Sequence, residues 1–225
     1  MFFYDPTFII IIPALILTIY AEVMVKRAFS KYSKININSG LSGKEIAQKI
    51  LNMSGLNIPI ERTPGNLTDH YDPLSKILRL SPEVYDGKSI ASAGIAAHEV
   101  GHALQHASKY APLILRTSSY PIARFASFGG PILLILGLLL SLKPFLLYGI
   151  IIYSVSVLFY LITLPVEFNA SSRAKSILVN NGFISGEEKD GVDKVLNAAA
   201  LTYVASALVA VLQLIRLILI FRNRD

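Results

Sequence analysis

The sequence predicts a mainly α-helical integral membrane protein with about four transmembrane helices and a small α+β domain. Its 225 residues are 53% hydrophobic and 16% charged, and the mean hydropathy of +0.53 is too high for an ordinary soluble domain of this length. Four long runs contain no Asp, Glu, Lys, Arg or His. About a hundred more polar residues separate the first two runs, and these can fold outside the bilayer.

The four uncharged runs cover residues 6–21, 125–142, 144–166 and 195–215. A helix needs roughly 20 apolar residues to cross the hydrocarbon core, with about 17 as the lower limit. The first run is long enough only if Glu22 lies at the interface and the helix continues. We therefore predict a first transmembrane helix over 1–25, a transmembrane hairpin over 125–166 and a fourth helix over 195–221. Nothing basic precedes the first run and no small-residue cleavage site follows it, so we expect an anchor rather than a signal peptide.

The Lys and Arg residues that flank the spans are distributed unequally. Three lie on the side of both termini, namely Lys143, Arg222 and Arg224, at the hairpin turn or at the end of the chain. Nine lie on the side of the large polar region: Lys26, Arg27, Lys31, Lys34, Arg116, Arg124, Arg173, Lys175 and Lys194. The positive-inside rule then places the polar region, 26–124, and the shorter segment 167–194 in the cytoplasm.

The net charge and the absence of cysteine limit which partners and metal ligands the chain can have. The net charge of +6 is explained by anchoring to an anionic lipid bilayer, because no basic segment interleaved with aromatic residues indicates nucleic-acid binding. The chain has no cysteine, which excludes disulfides and thiolate metal ligands. Any metal ion must therefore be held by His and carboxylate side chains.

The polar region begins with a helix and continues with short strands. Ser42-Gly43-Lys44-Glu45 is a capping-box pattern, and Gly55 predicts the end of the helix that follows. Residues 57–81 are rich in Pro, Gly, Asn and Asp and contain short apolar segments, which predicts two or three strands in a short antiparallel sheet. The strand at 77–80 would either bind an extended substrate by strand addition or be an ordinary structural edge.

An Ala-rich helix predicted over 89–108 carries the most informative motif, His98-Glu99-Val100-Gly101-His102. Two histidines at positions i and i+4 lie on the same face of a helix, where both imidazoles can reach one Zn²⁺. Glu99 then lies beside the metal and can act as a general base. Gly101 lowers helix propensity, which predicts close approach of another element beneath the metal; the alternative is a glycine that is merely tolerated.

A catalytic zinc site usually needs a third protein ligand. The candidates are His106, His70 and a carboxylate elsewhere in the chain. His106 lies about 12 Å along the helix axis from His98, so we expect it to have a structural role or to support a ligand. Glu167 follows 23 uncharged residues at the predicted end of the third span, where a solvated helix-end glutamate would be equally ordinary.

Four strings in the chain support a resemblance. They are Leu67-Thr68-Asp69-His70-Tyr71-Asp72-Pro73, Leu78-Arg79-Leu80-Ser81, Ala97-His98-Glu99-Val100-Gly101-His102-Ala103-Leu104-Gln105-His106 and Pro165-Val166-Glu167-Phe168. Together they resemble the bacterial YugP-type membrane zinc metallopeptidases over nearly the whole chain. The resemblance implies a zincin-like cytoplasmic domain, a multi-pass protein of the bacterial plasma membrane, and one Zn²⁺ per chain.

The resemblance also implies that His98, His102 and Glu167 bind the zinc. It extends to the wider gluzincins, including the prenyl-protein proteases, in which the ligand Glu is followed by Ala-Asp three and four residues later. This sequence has Ala170 and then Ser171. The departure leaves open which group holds a ligand histidine by its second nitrogen; Ser171, Asn169 and a backbone carbonyl are the alternatives.

With zinc bound, Glu99 would take a proton from the metal-activated water and pass it to the leaving amine. The developing oxyanion needs a further donor, for which His70, Tyr71, Arg173 and Tyr203 are candidates. His70 has the alternative role of fixing its own turn.

The predicted function is a zinc-dependent endopeptidase that acts on peptides or membrane-associated proteins. The alternative is a zinc-stabilised membrane scaffold or chaperone-type partner without turnover. A transporter is disfavoured, because the sequence shows neither repeated nor interrupted spans.

Overall fold

The computed structural model describes residues 6–223, and these are mostly helical with one small sheet. A 3₁₀ turn at Pro6–Ile11 leads into the first helix. The helices are α1 Ile12–Tyr32, α2 Gly43–Met53, α3 Pro82–Asp86, α4 Ile90–Ala107, α5 Ala111–Leu139, α6 Lys143–Asn180 and α7 Glu187–Arg222. The strands are β1 Ile60–Arg62, β2 His70–Asp72 and β3 Ile77–Leu80. Residues 1–5 of the first predicted span and Arg224 of the charge comparison lie outside the described residues.

Four helical segments are long and apolar enough to cross a membrane, which confirms the predicted number. They are Pro6–Tyr32, Ala111–Leu139, Lys143–Asn180 and Glu187–Arg222, with lengths of 27, 29, 38 and 36 residues. Each exceeds the roughly 20 residues that a bilayer requires. The second predicted span is part of a longer continuous helix, α5, which begins at Ala111 and contains Pro121 and Pro131.

The chain divides into two compact units. The hairpin unit contains Met1–Ala21, Ile114–Pro165 and Thr202–Asp225, and the mixed unit contains Glu22–Leu113 and Val166–Leu201. In the hairpin unit, glycines bring α5 and α6 close together. A Cβ added at Gly137 would lie 2.7 Å from the backbone nitrogen of Leu146, and one added at Gly149 would lie 2.7 Å from Leu134 Cγ. A larger residue at either position would therefore force the two helices apart.

The mixed unit has its own hydrophobic core, built around α2 and α4. Helix α2 begins as the sequence predicts: Ser42 Oγ accepts a bond from the Glu45 amide, and the Glu45 side chain accepts one from the Ser42 amide. The helix ends before Gly55, whose φ of +68° is unstrained only for glycine. The largest fully buried apolar side chains of this core are Ile46, Ile50, Leu51, Leu78, Leu80, Val84, Val100, Leu178 and Leu196.

The sheet corrects one prediction, because it is mixed rather than antiparallel. Its order is β1-β3-β2; β2 pairs with β3 antiparallel through a tight turn, whereas β1 pairs with β3 in parallel. The segment after β1 does not fold back on that strand. It crosses to the far side of β3 through Gly65 and Leu67, both of which have positive φ. Strand β3 is therefore the central strand, with neighbours on both edges, so it is neither a structural edge nor open to strand addition.

Candidate metal centre

The motif helix α4 is favoured by its own sequence and is stabilised by the burial of most of its residues. The Ser89 hydroxyl caps its start by accepting a bond from the Ser92 amide. Small residues dominate the helix, and thirteen of its eighteen residues are buried. The alanines favour helix formation, and the small side chains leave a surface that neighbouring elements can approach closely. His98 and His102 lie in mid-helix, where the backbone is best fixed.

Helix α6 makes that close approach at Gly101. A Cβ added to Gly101 would lie 2.8 Å from the backbone oxygen of Ala170 and 3.2 Å from its Cα. The predicted reason for a glycine here is therefore confirmed, and the neighbouring element is α6. Glu167 precedes Ala170 by three residues, so the contact that Gly101 permits also brings the Glu167 carboxylate to the two imidazoles.

His98, His102 and Glu167 form one compact group of potential ligands. Glu167 Oε2 lies 3.3 Å from His98 Nε2 and 3.5 Å from His102 Nε2. One ligand atom from each residue lies within 4.8 Å of the others. The three side chains are 12%, 11% and 2% exposed, respectively. The structure thus brings the glutamate that the resemblance implies to the histidine pair of the motif.

These distances suit a shared metal ion better than direct ion pairs. Charge-assisted N–H···O bonds normally measure about 2.7–2.9 Å, which is shorter than either separation. Ligand atoms that sit about 2.0–2.1 Å from a tetrahedral zinc ion lie about 3.3–3.4 Å apart, which matches both. Burial lowers the pKa of His102, but the nearby carboxylates of Glu167 and Glu99 outweigh it and raise the pKa. The carboxylates therefore give the site a negative potential that favours a cation.

The second nitrogen of each histidine has its own partner. His98 Nδ1 lies 3.1 Å from Ser171 Oγ, and His102 Nδ1 lies 3.0 Å from Gln105 Oε1. Ser171 was one of the alternatives open from the sequence, whereas Asn169 contacts Gln105 rather than a histidine. Gln105 was not among the site residues predicted from the sequence. Its signal was an amide three residues after His102 in an otherwise small and apolar buried helix.

Glu99 lies next to β2. Its side chain is largely buried, and Oε2 accepts a hydrogen bond of 3.1 Å from the Tyr71 amide. Asp69 lies at the start of the same segment and accepts bonds from the Ser81 amide and hydroxyl. Burial raises the pKa of Asp69, the bonds from Ser81 oppose that rise, and the charge of Glu99 adds to it. β2 therefore anchors the proposed general base on one side.

The other sequence candidates have partners of their own. His106 Nδ1 lies 2.9 Å from the Tyr71 hydroxyl, and it does not belong to the ligand group. His70 is exposed and is the first residue of β2 rather than part of a turn; its Nδ1 lies 2.8 Å from the Thr68 carbonyl just before the strand. Arg173 Nε donates to Asn169 Oδ1 over 2.8 Å.

Tyr203 belongs to the hairpin unit rather than to the unit that contains the histidine pair. Its role as an oxyanion donor stays a prediction.

Comparison with known proteins identifies the family of the chain. Residues 7–222 match the family described as "Putative neutral zinc metallopeptidase". The chain is 52% identical over 213 residues to a protein of Bacillus subtilis (strain 168) named "Putative membrane protease YugP", covering 94% of this chain and 95% of that one. No solved structure matches the chain. Because the family match spans almost all the described residues, the chain belongs to this family.

Proposed function

We propose that this protein is a membrane-embedded zinc endopeptidase that hydrolyses peptide bonds in peptides or membrane-associated proteins. The observation that carries the proposal is the group His98, His102 and Glu167, whose nitrogen-to-oxygen separations of 3.3 and 3.5 Å fit a tetrahedral zinc ion. The name of the relative from Bacillus subtilis supports the same class of reaction.

The chain supplies the acid–base chemistry of this reaction. A zinc ion bound there would lower the pKa of a coordinated water to about 7 and polarise the scissile carbonyl. Glu99 directly follows His98, and the Tyr71 amide holds its Oε2. We assign Glu99 Oε1 to take a proton from the attacking water and then deliver it to the leaving amine. Such positioned proton transfer contributes about 10²- to 10⁴-fold to the rate.

Tyr71 is the best supported of the candidate oxyanion donors. Its amide contacts the proposed general base directly, and its hydroxyl contacts His106 Nδ1 on the next turn of the motif helix. His70 is exposed and contacts the Thr68 carbonyl, and Arg173 contacts Asn169; neither contact involves Glu99 or the ligand group. We therefore assign the phenol of Tyr71 to the developing negative charge and retain Tyr203 as a further candidate.

The proposal includes a location. We place the protein in the bacterial plasma membrane as a multi-pass protein, with the metal site in the cytoplasm and with lipid and a peptide or membrane-protein substrate as its partners. Four apolar helices, the excess of Lys and Arg on one side, and the relative's name as a membrane protease support this placement.

The substitution Glu99→Gln tests the proposal. Full-length protein in nanodiscs is loaded with zinc and incubated with a quenched fluorescent peptide library and with a single-span protein that carries an unfolded tail. We expect the variant to retain one zinc per chain and to lose cleavage by about 10²-fold or more, because the amide cannot accept the proton. New N-termini identified by mass spectrometry are the readout.

Glu83→Gln is the matched control, because Glu83 is an exposed glutamate of the same unit, on α3. It should cleave as the parent protein does. Equal cleavage by Glu99→Gln and Glu83→Gln would refute the enzymatic role of Glu99. Zinc-loaded parent protein that cleaves nothing while zinc still stabilises it would favour the scaffold instead.

A further inference from the structure

The two ligand histidines are held differently at their second nitrogens. Ser171 Oγ can either donate to or accept from His98 Nδ1, so that contact is compatible with both neutral tautomers of His98. Gln105 Oε1 can only accept, so its 3.0 Å contact requires a proton on His102 Nδ1. The tautomer of His102 therefore depends on which way the Gln105 amide faces.

The surroundings of Gln105 fix that direction. Its Nε2 donates to the Val166 carbonyl over 2.8 Å and to Asn169 Oδ1 over 3.0 Å. Because a carbonyl can only accept, turning the amide by 180° would place two oxygens against each other. Gln105 is completely buried, so no water would replace the two lost bonds. The observed direction is thus the one that satisfies all of its polar atoms.

Arg173 fixes the direction of the Asn169 side-chain amide in the same way. The guanidinium only donates, and its Nε lies 2.8 Å from Asn169 Oδ1. The oxygen of Asn169 must therefore face Arg173, and the same oxygen accepts from Gln105. A chain of hydrogen bonds with a fixed direction runs from Arg173 through Asn169 and Gln105 to His102.

We propose that Gln105 is a positioning residue that holds His102 with its proton on Nδ1, so that Nε2 presents a lone pair toward the metal position. Asn169 and Arg173 keep the Gln105 amide in the required direction. Without this chain, the proton is free to occupy Nε2, from which a cation would have to displace it. The inference rests on the proposed metal site but does not depend on peptide hydrolysis.

The tautomer can be observed directly in metal-free protein. The full-length chain contains four histidines, so ¹⁵N-histidine labelling gives few imidazole signals, which single His→Gln variants assign. Spectra are recorded after chelation, and the pH is raised until the imidazole ¹⁵N shifts stop changing, so that the ring is neutral with a proton on one nitrogen. We expect His102 to carry its proton on Nδ1. A proton on Nε2 would overturn the proposal.

Zinc affinity, measured by competition with a chromophoric chelator, gives the second readout. Gln105→Met keeps a similar side-chain volume but cannot accept a hydrogen bond, so we expect a mixture of His102 tautomers and a zinc Kd about 10- to 100-fold higher. Arg173→Met should change both readouts in the same direction but less, because the Val166 carbonyl still holds Gln105. Arg173→Lys should restore them, since lysine is also purely a donor.

Lys175→Met is the matched control. Lys175 is a cation on the same helix, but it donates to Asn197 Oδ1 over 2.8 Å and pairs with Asp193 at 3.0 Å, outside the chain of bonds to His102. It should leave the tautomer and zinc affinity unchanged. Equal loss in Lys175→Met and Arg173→Met, or Gln105→Met with the parent tautomer and Kd, would refute the inference.

Two failures remain distinguishable. If Gln105→Met does not fold, the inference is still tested by the His102 tautomer of the parent protein and by the variants of the partly exposed Arg173. If the parent protein binds no zinc, the proposed function fails whatever the tautomer is. If it binds zinc but His102 carries its proton on Nε2, only the inference fails.

Discussion

Replacing Gly101 with alanine tests how the two halves of the metal site are held together. The added Cβ would lie 2.8 Å from the Ala170 carbonyl oxygen, whereas non-bonded heavy atoms pack at about 3.5 Å. The α6 backbone must therefore move by roughly 0.7 Å. Glu167 lies three residues earlier on the same helix and should move with it, which exceeds the tolerance of about 0.2 Å for zinc–ligand distances.

Two effects on stability oppose each other in this variant. Alanine gains about 1 kcal/mol of helix propensity, and overpacking costs about 1–3 kcal/mol, so the free energy of unfolding should fall by about 0–2 kcal/mol. Zinc affinity should fall about ten-fold or more, which is the size of effect seen when the supports of a ligand are disturbed. The affinity should thus change more than the stability does.

Gly94→Ala on the same helix is the control. Its Cβ would meet the Val192 methyl groups at 3.4 and 3.7 Å, which are ordinary contacts. It should gain about 1 kcal/mol of stability and bind zinc as the parent protein does. Competition titration of zinc and thermal unfolding of both variants in nanodiscs measure the two quantities. Equal zinc affinity in Gly101→Ala and Gly94→Ala would refute the claim that this contact positions Glu167.

Three further predictions concern stability and the site. Glu188→Ala should lower the free energy of unfolding by about 3 kcal/mol, because the buried carboxylate accepts bonds from the Asn38 and Ser185 amides; unchanged denaturant unfolding would contradict this. With free zinc at 100 times its Kd, removal of the zinc by a chelator should lower the free energy of unfolding by about 2.7 kcal/mol, so an unchanged Tm would argue against a zinc site in the folded protein. Tyr71→Phe removes the phenol but keeps the backbone amide, so kcat should fall about 10²- to 10³-fold with zinc content unchanged; loss of zinc instead would show that the Tyr71–His106 contact supports the ligands.

Features set by local sequence could be predicted well. The Ser42–Glu45 capping box, the Ser89 cap of the motif helix and the four apolar spans each depend on residues close together in the chain. The packing role of Gly101 was also predictable, because a glycine in mid-helix is costly unless something approaches it. The identity of the approaching element was not, since Ala170 lies 69 residues away.

Features set by tertiary contacts could not be predicted from the residues alone. The parallel pairing of β1 depends on where the segment through Leu67 crosses the sheet, and three-residue strands carry too little pattern to show it. The sequence shows Gln105 only as an amide three residues after His102, and its partners on α6 become known only from the fold. From spacing alone, Glu167 was as consistent with a solvated glutamate at a helix end as with a metal ligand. The resemblance favoured the metal ligand, and the structure places Glu167 beside the histidine pair.

A structure of the full chain determined with zinc bound tests the central claim most directly. The anomalous signal of zinc locates the ion independently of the protein atoms. We expect a single ion within about 2.2 Å of His98 Nε2, His102 Nε2 and a Glu167 oxygen. An ion held elsewhere, or one that lies more than about 3 Å from the Glu167 carboxylate, would contradict the ligand set and the function built on it.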